Sequence, residues 1–480
     1  MSEIRFVDTT LRDGQQSLWA LGMKTAAMLP IAAQMDRIGF ESMEFFVSIM
    51  LKKYVREHKE NPWVWLREGS KRFRRTRLRN HGGMHGSGAM EKLPHAAMRL
   101  FVERVVSYGV TLTRTSNCWN DFEEMRDEVK ELRDVGMETV VNLIYSVSPR
   151  HTDDYYAKKA RQAASIRPYR ICFKDVGGLL TPERARTLIP AILQNAGDTP
   201  VEYHAHCNNG LAPLCYLEAV RLGINALHTA IPPLANGSSQ PSILNVARNL
   251  RALGYTPVVN DEEVKPVEEH FTTVAKREGL AIGKPFAYDE SQYLHQVPGG
   301  VISNLRHQLK LVGKEDRLQE TLEEAARVRA DFGYPIMVTP LSQFVVSQAA
   351  INVIVGERYK EVTDQVIQYA LGIWGREAPG LMELNVKDKI LGRGRAKDWK
   401  NWQPRDLSLK EVRAKFGGAS DEELLLRVYA GSDAVKALAN EGAPRPQLDG
   451  KQPLFRLLEE LSKMKDCNQI FIRKPGFALD

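Results

Sequence analysis

Eight short strand-like runs, each followed by an amphipathic stretch, fill the first half of the chain and leave few folds open to it. The runs are Ile4–Asp8, Ser42–Phe46, Arg75–Asn80, Thr111–Thr115, Glu138–Ile144, Arg170–Lys174, Val201–His204 and Ala226–Ala230, spaced at roughly 25 to 37 residues. Between the first two, Thr25–Ile38 carries Met28, Leu29, Ile31, Ala32, Met35 and Ile38 at helical spacing. A strand-then-helix unit repeated eight times predicts an α/β fold, the (β/α)8 TIM barrel. An open doubly wound sheet is the competing arrangement. No Gly-rich dinucleotide loop follows the first run, which counts against it.

The pattern changes after about residue 260. Helical segments such as Thr321–Asp331 and Gln343–Val355 follow, separated by turn clusters at Val297–Gly300, Phe332–Pro335 and Gly392–Gly394. A chain of 480 residues exceeds what one core usually supports. The expected division is therefore a barrel over 1–265, a mostly helical domain capping it over 266–440, and a linker with a tail helix (Pro453–Lys463) over 441–480.

Bulk properties exclude several classes. Hydrophobic residues at 43% and charged residues at 26% suit an ordinary globular protein. No apolar run approaches the roughly 20 residues that span a bilayer, so no membrane span is expected. The N-terminus has no basic-then-apolar leader pattern and enters directly as a strand. Five cysteines without a CxxC pair suit a reducing compartment, and the cytoplasm is the expected location. Part of the net charge of +7 lies in one run, Lys71–Arg79. No nucleic-acid-binding motif accompanies it, so nucleic acid is not an expected partner. A solvated helix end, or a patch that receives an acidic partner, accounts for the run.

In a TIM barrel the chemistry gathers at the C-terminal ends of the strands. The first run ends in Asp8-Thr9-Thr10-Leu11-Arg12-Asp13-Gly14-Gln15-Gln16, which packs carboxylate, guanidinium and amide groups into one loop. An aspartate there can equally be a helix cap. The seventh run ends in His204-Ala205-His206, and residues i and i+2 of a strand point the same way. Two imidazoles on one point suit a divalent cation, with a pair of satisfied interior histidines as the alternative. Lys174 ends the sixth run beside them. An ammonium next to a dication is repelled, so this lysine must turn away, lose its proton or be modified. Carbamylation by CO2 would make it an anionic oxygen ligand. After the eighth run, Ala235–Ser242 forms a small hydroxyl-rich loop, equally suited to capping a helix. Cys207 directly follows His206 and is expected to be structural.

Taken together, these motifs resemble the carboxyltransferase family that includes the carboxyltransferase domain of pyruvate carboxylase, the alpha subunit of oxaloacetate decarboxylase and the transcarboxylase 5S subunit. The likeness covers residues 3 to about 430. It rests on DTTLRDGQQS (8–17), Asn61-Pro62-Trp63, YSVSPRH (145–151), FKDVGGLLTP (173–182) and HAHCNNGLAP (204–213) in the barrel. Beyond the barrel it rests on QVPGGVISNL (296–305), GYPIMVTPLSQ (333–343) and VRAKFGGASDEELL (412–425). The wider lyase and synthase superfamily lacks that helical part. The resemblance implies a divalent metal (Mn2+, Zn2+ or Co2+) on Asp13, His204, His206 and a carbamylated Lys174. It implies that Arg12, Gln16, Arg79 and Arg114 lie at the 2-oxo acid, and that Ser238 stands where the family has a proton-shuttling threonine between biotin and substrate. Arg12, Lys174 and Ser238 would be the catalytic groups. The implied reaction moves a carboxyl group between carboxybiotin and a 2-oxo acid such as pyruvate or oxaloacetate through a metal-stabilised enolate.

Three segments depart from the family. Its Leu-Arg-Gly-Gln-Asn loop is here Leu78-Arg79-Asn80-His81-Gly82-Gly83, its Arg-x-Phe-Asp is Arg114-Thr115-Ser116-Asn117, and its threonine is Ser238. No biotin-carrier segment is evident, so biotin is expected in trans, on a separate carrier served by a biotin carboxylase subunit. The basic run could help to dock that carrier, and a homodimer is the expected assembly. A biotin-independent lyase, decarboxylase or aldolase is the alternative enzyme. A non-catalytic scaffold is disfavoured by a complete ligand set.

Overall fold

The computed structural model describes residues 2–84, 93–400, 402, 406–439, 461, 472–474 and 477–479. Eight parallel strands close into a barrel: β1 (Glu3–Asp8), β2 (Ser42–Val47), β3 (Arg77–His81), β4 (Leu112–Thr115), β5 (Glu138–Ile144), β6 (Arg170–Asp175), β7 (Val201–Ala205) and β8 (Ala226–Thr229). Closure runs through β1, which pairs with β8 (Phe6 against Leu227) and with β2 (Asp8 against Met43). The predicted barrel is therefore the observed one, with strand ends shifted by one or two residues. The amphipathic stretch Thr25–Ile38 is not one helix but two short ones, Thr25–Met28 and Ala32–Met35. Pro30 separates them, because its ring removes an amide donor and clashes with the preceding turn.

The barrel's interior is unusual. Such barrels normally fill with branched aliphatic side chains. Here Glu44, Arg79, Arg114, Asn142, Glu202 and His228 are all 0% exposed. Arg79 on β3 pairs in bidentate fashion with Glu202 on β7, at 2.6 and 2.9 Å. Strands three and seven lie on opposite sides of an eight-stranded ring, so this ion pair spans the interior.

Position 265 falls inside the helix Asp261–Glu278, whose Val264, Val267 and Phe271 belong to the barrel's core. A second core follows, built on residues between Val297 and Ala396 with Trp119 from the loop after β4. The chain then returns to the barrel. Val412, Leu424, Leu425 and Tyr429 join the first core, Arg56 Nε donates to the carbonyl of Ala430 at 2.7 Å, and the Trp63 indole donates to that of Glu422 at 3.2 Å. The seam between the two cores is polar. Arg329 donates to Ser146 Oγ and to the Val147 carbonyl, both at 3.0 Å, and Arg376 pairs with Asp121.

Residues 1–442 form one compact unit and 443–480 a second. In the latter, Ile472–Lys474 and Phe477–Leu479 pair antiparallel. The expected tail helix lies outside the described residues except at Leu461. Among the described residues no helix is long and apolar enough to cross a membrane.

The basic run leads into the N-terminal end of β3. Asp36 accepts from the amides of Arg74, Arg75 and Thr76 at 2.8 to 3.0 Å and fixes the turn there. That is the foot of the barrel, opposite the mouth where the strand-end motifs lie. The run is thus badly placed to deliver a carrier to those motifs.

Candidate active site

The loop after β1 leaves the strand as a wide i→i+5 turn, Thr10–Gly14, a geometry frequent at functional sites. Asp8 holds its base by accepting from the Thr10 amide at 3.1 Å and the Thr10 hydroxyl at 2.6 Å. The turn presents Arg12 and Asp13 side by side. Two strands round the ring from β1, β7 supplies His204 and, one residue past its end, His206, whose amide donates to the Asp175 carbonyl at 3.0 Å. Asp13 Oδ2 lies 3.4 Å from His204 Nε2 and 3.8 Å from His206 Nε2. One donor atom from each of the three side chains falls within 4.8 Å of the others, and all three residues are buried. Lys174 is the register partner of His204, so it shares that level of the barrel.

The electrostatics suit a cation. Burial alone would push the Asp13 carboxyl up, but the Arg12 guanidinium, with His206, Lys174 and Arg114, holds it well below the usual carboxylate range. Burial pushes the His204 imidazole well down, with Arg114 adding to the effect, and burial likewise lowers His206. Both rings are therefore neutral and carry a lone pair, the form that ligates metals. His206 donates Nδ1–H to the Ser238 carbonyl at 2.7 Å, which leaves Nε2 as its open nitrogen. The Gln240 amide nitrogen lies 3.2 Å from His206 Nε2 and 3.5 Å from His204 Nε2, a donor offered to both open nitrogens. An anionic oxygen and two imidazole nitrogens converging in a buried pocket fit a divalent transition metal. Burial, with Arg114, lowers the Lys174 amine to about 8.

The expected substrate residues fall into two groups. Arg12 and Gln16 stand at the mouth. Arg12 Nε donates to Glu44 at 2.7 Å and Nη2 to Asp13 at 2.9 Å, while Nη1 lies 3.5 Å from Oε1 of the exposed Gln16. Arg79 and Arg114 instead lie within the packed interior. Arg79 is expected beside the substrate. In the structure it is closed on Glu202 one layer below the mouth, because an arginine two residues before the end of β3 reaches across the barrel rather than out of it. Arg114 forms the floor, ion-paired to Glu44 and 3.4 Å from Asp13, with Asn142 accepting at 3.2 Å. Ser238 Oγ donates to the Ser17 carbonyl at 2.9 Å, which ties the eighth loop to the first. Cys207 is 2% exposed and packs in the barrel's core.

Sequence reasoning missed Glu44, Glu202, His228, Gln240 and His81. Gln240 belongs to the hydroxyl-rich loop after the eighth run, so that loop was a usable signal. His81 lies in the segment after Arg79 that departs from the family. Two positions after the inward-facing Arg79 it also faces the axis. Burial, together with Arg12, Arg114 and Lys174, keeps its ring well below the usual histidine range, and its Nδ1 has no hydrogen-bond partner among the described residues.

Across the mouth, residues 281–289 run as a strap. The Trp19 indole donates to the Ala281 carbonyl at 2.7 Å, the Gly283 amide to the Pro233 carbonyl at 2.8 Å, and the Asp289 amide to Asn209 Oδ1 at 2.6 Å. A Cβ at Gly283 would stand 2.0 Å from the Ala235 carbonyl oxygen, so only glycine permits this approach.

Comparison with known proteins agrees with this architecture. Residues 102–270 match the HMGL-like family model and residues 293–459 the conserved carboxylase domain model. The chain is 33% identical to a pyruvate carboxylase subunit of Methanocaldococcus jannaschii, over 95% of this chain and 81% of that one. It is 32% identical to the 2-oxoglutarate carboxylase large subunit of Hydrogenobacter thermophilus, over 88% of this chain and 66% of that one. The carboxyl transferase domain of Rhizobium etli pyruvate carboxylase, solved with oxamate and biotin, superposes with a TM-score of 0.83. It is 23% identical, with 93% of this chain and 80% of that one covered.

Proposed function

The chain belongs to the family of the archaeal pyruvate carboxylase subunit and its carboxyltransferase relatives, and from that membership we propose that it moves a carboxyl group between carboxybiotin and a 2-oxo acid such as pyruvate or oxaloacetate. The observation that carries this reading is the convergence of Asp13, His204 and His206 at the mouth of the barrel. These residues, with Lys174, would hold a divalent cation (Mn2+, Zn2+ or Co2+). When bound, that cation supplies Lewis-acid polarisation of the substrate carbonyl. Biotin supplies or takes up the carboxyl group.

The chain's own residues do the rest. Arg12 Nη1 and the Gln16 amide are the donors available at the mouth, and they orient the acid's carboxylate. Glu44 and Arg114 keep Arg12 and Asp13 in place from below. Lowered to about 8, the Lys174 amine is partly unprotonated at mildly alkaline pH. The free amine can add CO2 at Nζ with loss of one proton, giving the anionic ligand oxygen. Ser238 holds a proton at Oγ and exchanges it between the two reactants, and its carbonyl fixes His206. Biotin on a separate carrier, a biotin carboxylase subunit, a homodimer and a cytoplasmic setting complete the reading. The sparse cysteines support the last.

Metal analysis and an oxaloacetate decarboxylation assay test it. Stoichiometric divalent metal in the wild type, lost in Asp13→Ala, together with decarboxylation accelerated by biotin, is the expected result. Absence of metal from the wild type refutes the site. Decarboxylation indifferent to biotin, with no biotinylated protein retained on the chain, favours a biotin-independent lyase instead.

A further inference from the structure

We propose that Arg79, Glu202 and His228 form a directional relay that fixes the ring tautomer of His204, and so decides which of its nitrogens can bind a cation. None of the four residues touches solvent, since each is 0% exposed. Arg79 holds Glu202 by two parallel hydrogen bonds at 2.6 and 2.9 Å, which keeps that carboxylate ionised. Glu202 Oε1 also lies 2.8 Å from His228 Nε2, and His228 Nδ1 lies 3.1 Å from His204 Nδ1.

The order of protons follows from the two ends. An ionised carboxylate only accepts, so His228 must donate from Nε2. Glu202 is already compensated by Arg79, so a second proton on the fully buried His228 ring would be an unpaired interior charge; the ring is therefore neutral, carries one N–H, and its Nδ1 is an acceptor. His204 must therefore donate from Nδ1, and its lone pair is left on Nε2, the nitrogen 3.4 Å from Asp13. A charged pair that crosses the barrel thus sets the chemistry of a ring at the mouth without touching substrate. The arrangement parallels His206, whose Nδ1–H goes to the Ser238 carbonyl. Both histidines then present Nε2 to one point. His228 belongs to two further donor groups, with Glu44 and His204 and with Cys172 and Glu202. Glu44 is neutralised by Arg12 and Arg114, and Glu202 by Arg79, so neither group needs a cation of its own.

The tautomer stands independently of any cation, and only its consequence for binding rests on the proposed ligand set. Two experiments therefore separate the claims. The first uses the metal-free full chain labelled with 15N at histidine. Multiple-bond 15N–1H correlation should give His204, assigned by its absence in His204→Gln, as the Nδ1–H tautomer and His228 as Nε2–H. A proton on Nε2 of His204 overturns the relay. The second is a Co2+ titration of the full chain followed by its visible spectrum. His228→Leu should weaken Co2+ binding about 10- to 100-fold, the usual effect of removing a ligand's orienting partner. His228→Asn, with an acceptor near the place of Nδ1, should retain most of the affinity. Wild-type affinity in a folded His228→Leu overturns the relay. Failure of the wild type to bind Co2+ overturns the ligand set and with it the relay's purpose, while the tautomer remains decided by the first experiment.

Discussion

Replacing Arg79 with methionine separates a structural arginine from a substrate one. Methionine fills much of the same volume but leaves the Glu202 carboxylate in the barrel's interior with His228 at 2.8 Å and the more distant Arg170 Nε at 3.9 Å as its remaining partners. Breaking a buried pair by removing one member costs about 3–5 kcal/mol, because the other charge stays desolvated. Unfolding entropy near the midpoint is roughly 2.1 cal/mol/K per residue, so a unit of 442 residues gives roughly 0.9 kcal/mol/K and a cost of about 4 kcal/mol lowers Tm by about 4 °C. Thermal melts of wild type, Arg79→Met and the double variant Arg79→Met/Glu202→Gln, at one scan rate and pH 7, provide the assay. The single variant should melt about 4 °C early. The double variant should recover more than half of the loss, because glutamine removes the unpaired charge yet can still accept from His228. If the single variant melts within about 1 °C of wild type while kcat/KM for the 2-oxo acid falls, Arg79 serves the substrate and the structural argument is refuted.

Two further outcomes follow from the same geometry. Burial pushes the Asp8 carboxyl from 3.8 to about 7. The folded chain therefore keeps a proton that the unfolded chain has already released, and Asp8 opposes folding increasingly as pH rises from about 4 to about 7. Urea midpoints should fall between pH 5 and pH 8, and the fall should shrink in Asp8→Asn; an equal fall in both proteins contradicts the assignment. Ser238→Ala should keep Co2+ binding, because His206 uses the Ser238 carbonyl rather than its hydroxyl, while carboxyl transfer drops at least about tenfold. Undiminished transfer excludes the proton shuttle.

Much of this was legible in the chain because period-2 alternation is a local property. His204 and His206, two apart at a strand end, had to face one way, and the loop after the first strand was dense in polar groups. The barrel followed from regular spacing alone. What sequence could not supply was depth. Arg79 and Glu202 are separated by 123 residues and meet only because the ring closes. Nothing within β3 distinguishes an arginine that leaves the mouth from one that crosses the interior. Glu44 and His228 were hidden for the same reason, as the single ionisable positions of their runs. The helix Asp261–Glu278 spans the change in composition and contributes its apolar residues to the barrel's core, a contact that composition does not reveal.

Ions in place of aliphatic side chains in the barrel's interior tie its positions together over generations as well as in the folded state. A valine in a core can drift to isoleucine alone at small cost. Arg79, Glu202, Glu44 and Arg114 cannot drift singly at small cost, since each change unbalances the charges buried in the interior. Descendants of this chain should therefore change these positions in concert or not at all, and a lineage that neutralises one member should carry its compensation on another strand, opposite in the ring for Arg79 and Glu202 and two strands away for Glu44 and Arg114.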